Sequence, residues 1–138
     1  FEHLDVGAPV IIEQPTSLTL NAGSTGAFEV QIAAMEGAGY QWFKNGQPLT
    51  DGNGITGAHT ASLTLSDVLR ADAGNYHVVI TGDGDSTTSA AAHLHVNDPA
   101  IGLQPEPANR QAGESVTFAA AAAGTPPLEY QWYRDLTP

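Results

Sequence analysis

Displaced by 90 residues, the chain falls on itself without a gap: His3, Leu4, Val6, Pro9 and Ile11 meet His93, Leu94, Val96, Pro99 and Ile101. The same offset carries Gln14-Pro15 onto Gln104-Pro105, Ala22-Gly23 onto Ala112-Gly113, Phe28 onto Phe118 and Tyr40-Gln41-Trp42 onto Tyr130-Gln131-Trp132. A unit of this length is too long for a solenoid repeat, which must stack on neighbours to bury its face, and suits a small domain with its own core. The chain is therefore expected to be a window on a tandem array. Residues 1–7 read as the last strand of one unit, 8–97 as a complete unit, and 98–138 as strands A to C of a following, incomplete one. An opening on Phe1 rather than Met is what an internal piece would show.

Composition narrows the partners. Fifteen acidic residues face four basic ones, Lys44, Arg70, Arg110 and Arg134, scattered along a chain of formal charge -11. Nucleic acid needs clustered Lys and Arg, so it is not expected as a partner, and anionic membrane surfaces are equally unsuited. No run approaches the roughly 18 apolar residues of a membrane span, so no membrane insertion is expected. Cysteine is absent, which excludes thiol chemistry and thiolate metal sites.

Read with period two, Phe28, Val30 and Ile32 alternate with Ala27, Glu29, Gln31 and Ala33, the pattern of a strand with one wet face. Leu18 and Leu20, Tyr40 and Trp42, Leu63 and Leu65, Tyr76 with Val78 and Ile80, and Leu94 with Val96 behave alike. Turn signals separate them: Asn21-Ala-Gly23, Asn45-Gly46, Asp51-Gly-Asn-Gly54, Asp72-Ala-Gly74-Asn75 and Gly82-Asp-Gly-Asp85. About seven short strands at this spacing predict an all-β antiparallel sandwich.

Gly23, Val30 seven residues on, Trp42 a dozen further, then Ser62-Leu-Thr-Leu65 and Asp72-Ala-Gly-Asn-Tyr76-x-Val78 together resemble the immunoglobulin fold of the I-set type, in the cysteine-free tandem form of bacterial extracellular proteins. The resemblance covers residues 8–97 in full and both flanks in part. It implies a structural core of Val30, Trp42, Leu65, Tyr76 and Val78, with Val30 and Val78 standing where the family's disulfide would be and Ala120 replacing the first in the next unit. Losing a native disulfide costs a small domain about 2 to 5 kcal/mol, whereas burying a valine returns about 1.5 to 3 kcal/mol, so two valines under a tryptophan can sustain the core. The resemblance also implies that the Tyr76 hydroxyl bonds backbone near the turn before strand F, and that Asp72 holds that turn by accepting N–H bonds. In the partial unit, Phe118, Ala120 and Ala122 should point inward, and a four-residue linker between Val96 and Ile101 should restrain neighbouring units.

Candidate sites are few. His93 and His95 share the outer face of strand G, with His77 on strand F. A turn pairing Thr81 with Ser86 would set His77 opposite Ala90 and leave His93 three residues along, about 10 Å away, too far to share a metal. Asp51-Gly-Asn-Gly54 and Asp83-Gly-Asp85-Ser86 are acidic, but Asp, Asn and Gly are also what tight turns require, and neither has a calcium-loop ligand pattern. No metal and no cofactor is expected. Gln41, Phe43, His77 and Val79 form the candidate binding face: an aromatic beside amide side chains offers a surface for a protein or polysaccharide ligand. No Ser, His and Asp set falls on one wall and no phosphate cradle follows a strand, so no enzyme is expected. Lys44 beside the Asn45-Gly46 turn reads as a surface residue, outside any core isopeptide link.

The function these features suggest is a non-enzymatic spacer or adhesion module at a bacterial cell surface or in a secreted protein, packed against neighbouring units of its array. The alternatives are a glycan-binding accessory module of a secreted polysaccharide-degrading enzyme, using Phe43, and a filament subunit that self-associates through the incomplete C-terminal half.

Overall fold

The computed structural model describes residues 8–138; the expected strand at 1–7, with His3, lies outside the described residues. The first strand, β1 (Ile11–Glu13), is followed by Gln14-Pro15, where the buried proline has no N–H for a ladder. The chain crosses there to the opposite sheet as β2 (Leu18–Asn21). Strands β3 (Gly26–Glu29) and β4 (Gln31–Ile32) are one strand interrupted at Val30, β4 pairing with β1 and β3 with the second sheet. β5 (Gly39–Lys44) turns back into β6 (Gln47–Pro48) through Asn45-Gly46, both with positive φ (49° and 83°), as a two-residue hairpin loop demands. β7 (Ile55–Thr56) and β8 (Ser62–Leu65) lead through a 3₁₀ turn at Arg70–Asp72 into β9 (Gly74–Thr81). The unit closes with β10 (Ser86–Thr88) and β11 (Ala92–Asn97).

Two sheets result. One has the order β2-β11-β9-β5-β6, with β10 on the far half of β9 and β2 running parallel to β11; the other is β3-β8-β7. The inward side chains of β9 and β11 are closed: Tyr76, Val78 and Ile80, and Ala92, Leu94 and Val96, are buried. Between the sheets lie Trp42, Val30, Val78, Leu63, Leu65 and Phe28, all buried in one cluster. Phe28 joins the aromatic residues, its ring 5.0 Å from Tyr76 and 6.4 Å from Trp42. The Trp42 indole N–H donates to the Thr60 carbonyl at 2.7 Å, so its polar edge is satisfied inside the core. The Tyr76 hydroxyl donates to the Asp72 carbonyl at 2.5 Å, and the Asp72 carboxylate accepts the Leu69 N–H at 2.8 Å.

The segment after Asn97 differs from its expectation. β12 (Ala100–Leu103) pairs with β13 (Ala121–Ala123), Ile101 opposite Ala122 and Leu103 opposite Ala121, which is the register of Ile11 on Ile32 and Glu13 on Gln31 displaced by 90 residues. No third strand follows, since Tyr130-Gln131-Trp132 is not in a sheet. Phe118 is 48% exposed and Trp132 49%. The physical reason is the absence of opposing strands: β8 and β9 hold β3 and β5, and no strand pairs with the Phe118 or Trp132 segments among the described residues.

Candidate functional site

The outer face of the six-stranded sheet brings together all four residues of the candidate face. β5 and β9 pair antiparallel with Gln41 opposite Val79 and Phe43 opposite His77. None of the four is fully open; each is half-buried. The Phe43 and His77 rings are 4.9 Å apart and within 2° of parallel, and Pro48 stands across from Phe43 on its other side. Side chains stand upright from a sheet, so rings stacked between strands present edges outward. The exposed aromatic platform expected at Phe43 is therefore corrected to a ring whose face is spent on His77. Gln41 differs likewise: its amide N–H groups donate to the carbonyls of Trp42 and Leu49, both at 2.8 Å, tying β5 to the chain after β6. Lys44 is not a free surface lysine either, because it is half-buried and its ammonium group donates to the Ala71 carbonyl.

Carboxylates lie mostly in the loops, and only β1 and β3 of the strands carry one. In a chain with 15 carboxylates, β2, β5, β6, β9, β10 and β11 carry none, while Glu13 and Glu29 lie on β1 and β3. His77, His93 and His95 all occupy the carboxylate-free sheet. The histidine register also needs correction. Thr81 does pair with Ser86, but Ala92 pairs with Tyr76 and His93 with Asn75, a slip of one residue that sets His77 opposite Ala91 rather than Ala90. His93 is thus two residues along instead of three. A bulge between β10 and β11 causes the slip, and Ser89 mends the ladder there: its buried hydroxyl accepts the Val78 N–H at 3.0 Å and donates to the Ala90 carbonyl at 2.9 Å. Gln14 and Ser17 seal the same gap, accepting the N–H groups of Ala90 and His93. His93 is engaged laterally, its Nδ1 3.0 Å from the Asn75 side-chain oxygen. Among the described residues no three His, Asp or Glu side chains cluster closely enough to hold a metal.

The acidic loops are turns with their groups in use. Asp51 accepts the Ala58 N–H at 2.9 Å, and Gly52, Asn53 and Gly54 all have positive φ. Gly82 donates to the Asp85 carbonyl at 2.7 Å across the other loop.

The model of the immunoglobulin I-set domain matches residues 9–96. The chain belongs to the immunoglobulin I-set family. Mouse basement membrane-specific heparan sulfate proteoglycan core protein is 32% identical over 127 residues, 91% of this chain and 3% of that protein. The muscle M-line assembly protein unc-89 of Caenorhabditis elegans is 29% identical over 136 residues, 92% of this chain and 2% of its own length. Among solved structures, the titin M3 domain matches with a TM-score of 0.56 at 29% identity, covering 64% of this chain and 96% of that one. This chain thus spans only a few per cent of the length of these relatives, both of which are animal proteins.

Proposed function

We propose that this I-set domain is a non-enzymatic spacer and adhesion module within a tandem array on an extracellular protein. The observation that carries the reading is where the chain enters and leaves the sandwich. At entry the Pro9 carbonyl accepts the Thr87 hydroxyl, beside the turn that ends β9. At exit Asn97 accepts the Ala22 N–H, beyond the start of β9. Entry and exit are therefore at opposite poles, separated by the eight residues of β9, about 26 Å at 3.3 Å per residue. A bead threaded pole to pole lengthens an array with every copy. The 90-residue offset and the matching registers of β1 on β4 and β12 on β13 support such an array.

The carboxylate-free sheet is the module's contact face, centred on Gln41, Phe43, His77 and Val79. Its strands carry no carboxylate, so an acidic partner is repelled less there than at the acidic loops. With the Phe43 ring stacked on His77, the face suits a protein surface better than a stacked sugar. Small-angle scattering on chains of one, two and three consecutive units tests the spacer: the maximum dimension should grow in proportion to unit number at constant cross-section. A cross-section that widens with each added unit would overturn it.

A further inference from the structure

Asp98 lies between β11 and β12, and its carboxylate faces both ways. On the sandwich side Oδ2 accepts the Arg70 N–H at 2.7 Å, and the Arg70 guanidinium lies 3.9 Å from Oδ1. On the side of the following segment Oδ1 accepts the Thr125 N–H at 2.9 Å and Oδ2 accepts the Thr125 hydroxyl at 2.5 Å. The Asp98 side chain is 1% exposed, although it sits in a linker. The backbone is shaped around it: a Cβ on Gly124 would come within 2.6 Å of Oδ1, and one on Gly23 within 3.1 Å of the Ala123 Cβ. Glycine at 124 is thus required for space.

The 90-residue offset shows that this set varies as a group. Asp98, Gly124 and Thr125 correspond to Ala8, Ala34 and Met35, none of which supplies a carboxylate, a bare Cα or a hydroxyl. We propose that Asp98 is a clamp that docks the following unit, through Gly124 and Thr125, onto the Arg70 turn of this domain, and that joints built on Ala8, Ala34 and Met35 lack it. Stiffness is then written joint by joint along the array. Hydrogen bonds to a charged acceptor are the stronger kind, and here they bridge two bodies across a linker too short to swing freely.

The inference rests on the bead-and-array reading, and the test separates the two. In the full 138-residue chain, amide hydrogen exchange and residual dipolar couplings would be measured for wild type, Asp98→Ala and Thr125→Val. The wild type should show protected Arg70 and Thr125 amides, and β12 and β13 should share one alignment with β9 and β11. In Asp98→Ala both amides should exchange about tenfold faster and the shared alignment should be lost, while the cooperative unfolding of residues 8–97 stays unchanged. Thr125→Val should lose part of the coupling. A Thr125 amide exchanging like unstructured peptide in the wild type, or an Asp98→Ala chain that keeps one alignment, would overturn the clamp. Loss of cooperative unfolding in the wild type would instead sink the bead.

Discussion

At the scale of single residues, stability depends on polar groups that the core encloses. Replacing Tyr76 by Phe keeps the ring against Phe28 and removes only the bond to the Asp72 carbonyl. The expected loss is about 1 kcal/mol, read as a fall of roughly 4–8 °C in the thermal midpoint. Burial, with the Asp72 carboxylate adding, pushes the Tyr76 phenol up from its ordinary 10.0. The folded state thus favours the protonated phenol, so this contribution is complete below about pH 10 and lost as pH rises further. Ser89→Ala should cost more, about 1–3 kcal/mol in chemical denaturation, because it leaves the buried Val78 N–H without a side-chain acceptor at the bulge. A cost near zero would mean that another group takes over that N–H. Alternation together with the family resemblance marks Trp42, Leu65, Tyr76 and Val78 as core, and all four are buried. Ser89 is not legible in the sequence, because Ser86-Thr87-Thr88-Ser89 has no apolar alternation, and only the structure reveals the bulge. Thr87 and Ser89 point inward at odd positions and Ala92, Leu94 and Val96 at even ones, and that switch of parity demands an extra residue between them.

At the scale of elements, the errors all arise where a strand meets something other than its regular partner. Hairpin counting from Thr81-Ser86 assumed an unbroken ladder, so the bulge put His77 one residue out. Composition marked Gln41 as an outward amide, yet a long side chain on an outward position can fold back to backbone carbonyls one loop away. Asp98 could not be read at all, because its partners Arg70 and Thr125 lie 28 and 27 residues away and are joined only by the fold. Those partners give a pH test. The Thr125 hydroxyl and N–H, more than Arg70, hold the Asp98 carboxyl below its usual 3.8. Sign follows from that direction: the clamp is whole above the unfolded value and is lost as pH falls through the lower folded one. Dipolar couplings across the joint should be constant from pH 7 to pH 5 and decouple only below 3.8. Decoupling already at pH 5 would show that the carboxylate is not the group holding it.

At the scale of the molecule, the same 90-residue pattern produces two outcomes. Residues 9–96 close around Trp42, whereas Trp132, Tyr133 and Phe118 at the matching offset stay on the surface, because inward alternation is only a demand for burial and opposing strands must be there to meet it. Charge acts at this scale too. The chain carries -11, yet among the described residues a single ion pair, Arg70 with Asp98 at 3.9 Å, offers local attraction. Salt therefore has much repulsion to screen and little attraction to weaken. Raising sodium chloride from about 10 mM to about 500 mM should lift the unfolding midpoint of residues 8–97 by a few degrees, as the Debye length shrinks from about 30 Å toward a few ångströms. The lift should saturate once that length falls below the spacing of the surface carboxylates. In Asp98→Ala the sandwich should respond to the same extent, since the pair it lacks joins two bodies and does not hold one together. A midpoint that falls with salt in the wild type would show that specific pairing outweighs the net field.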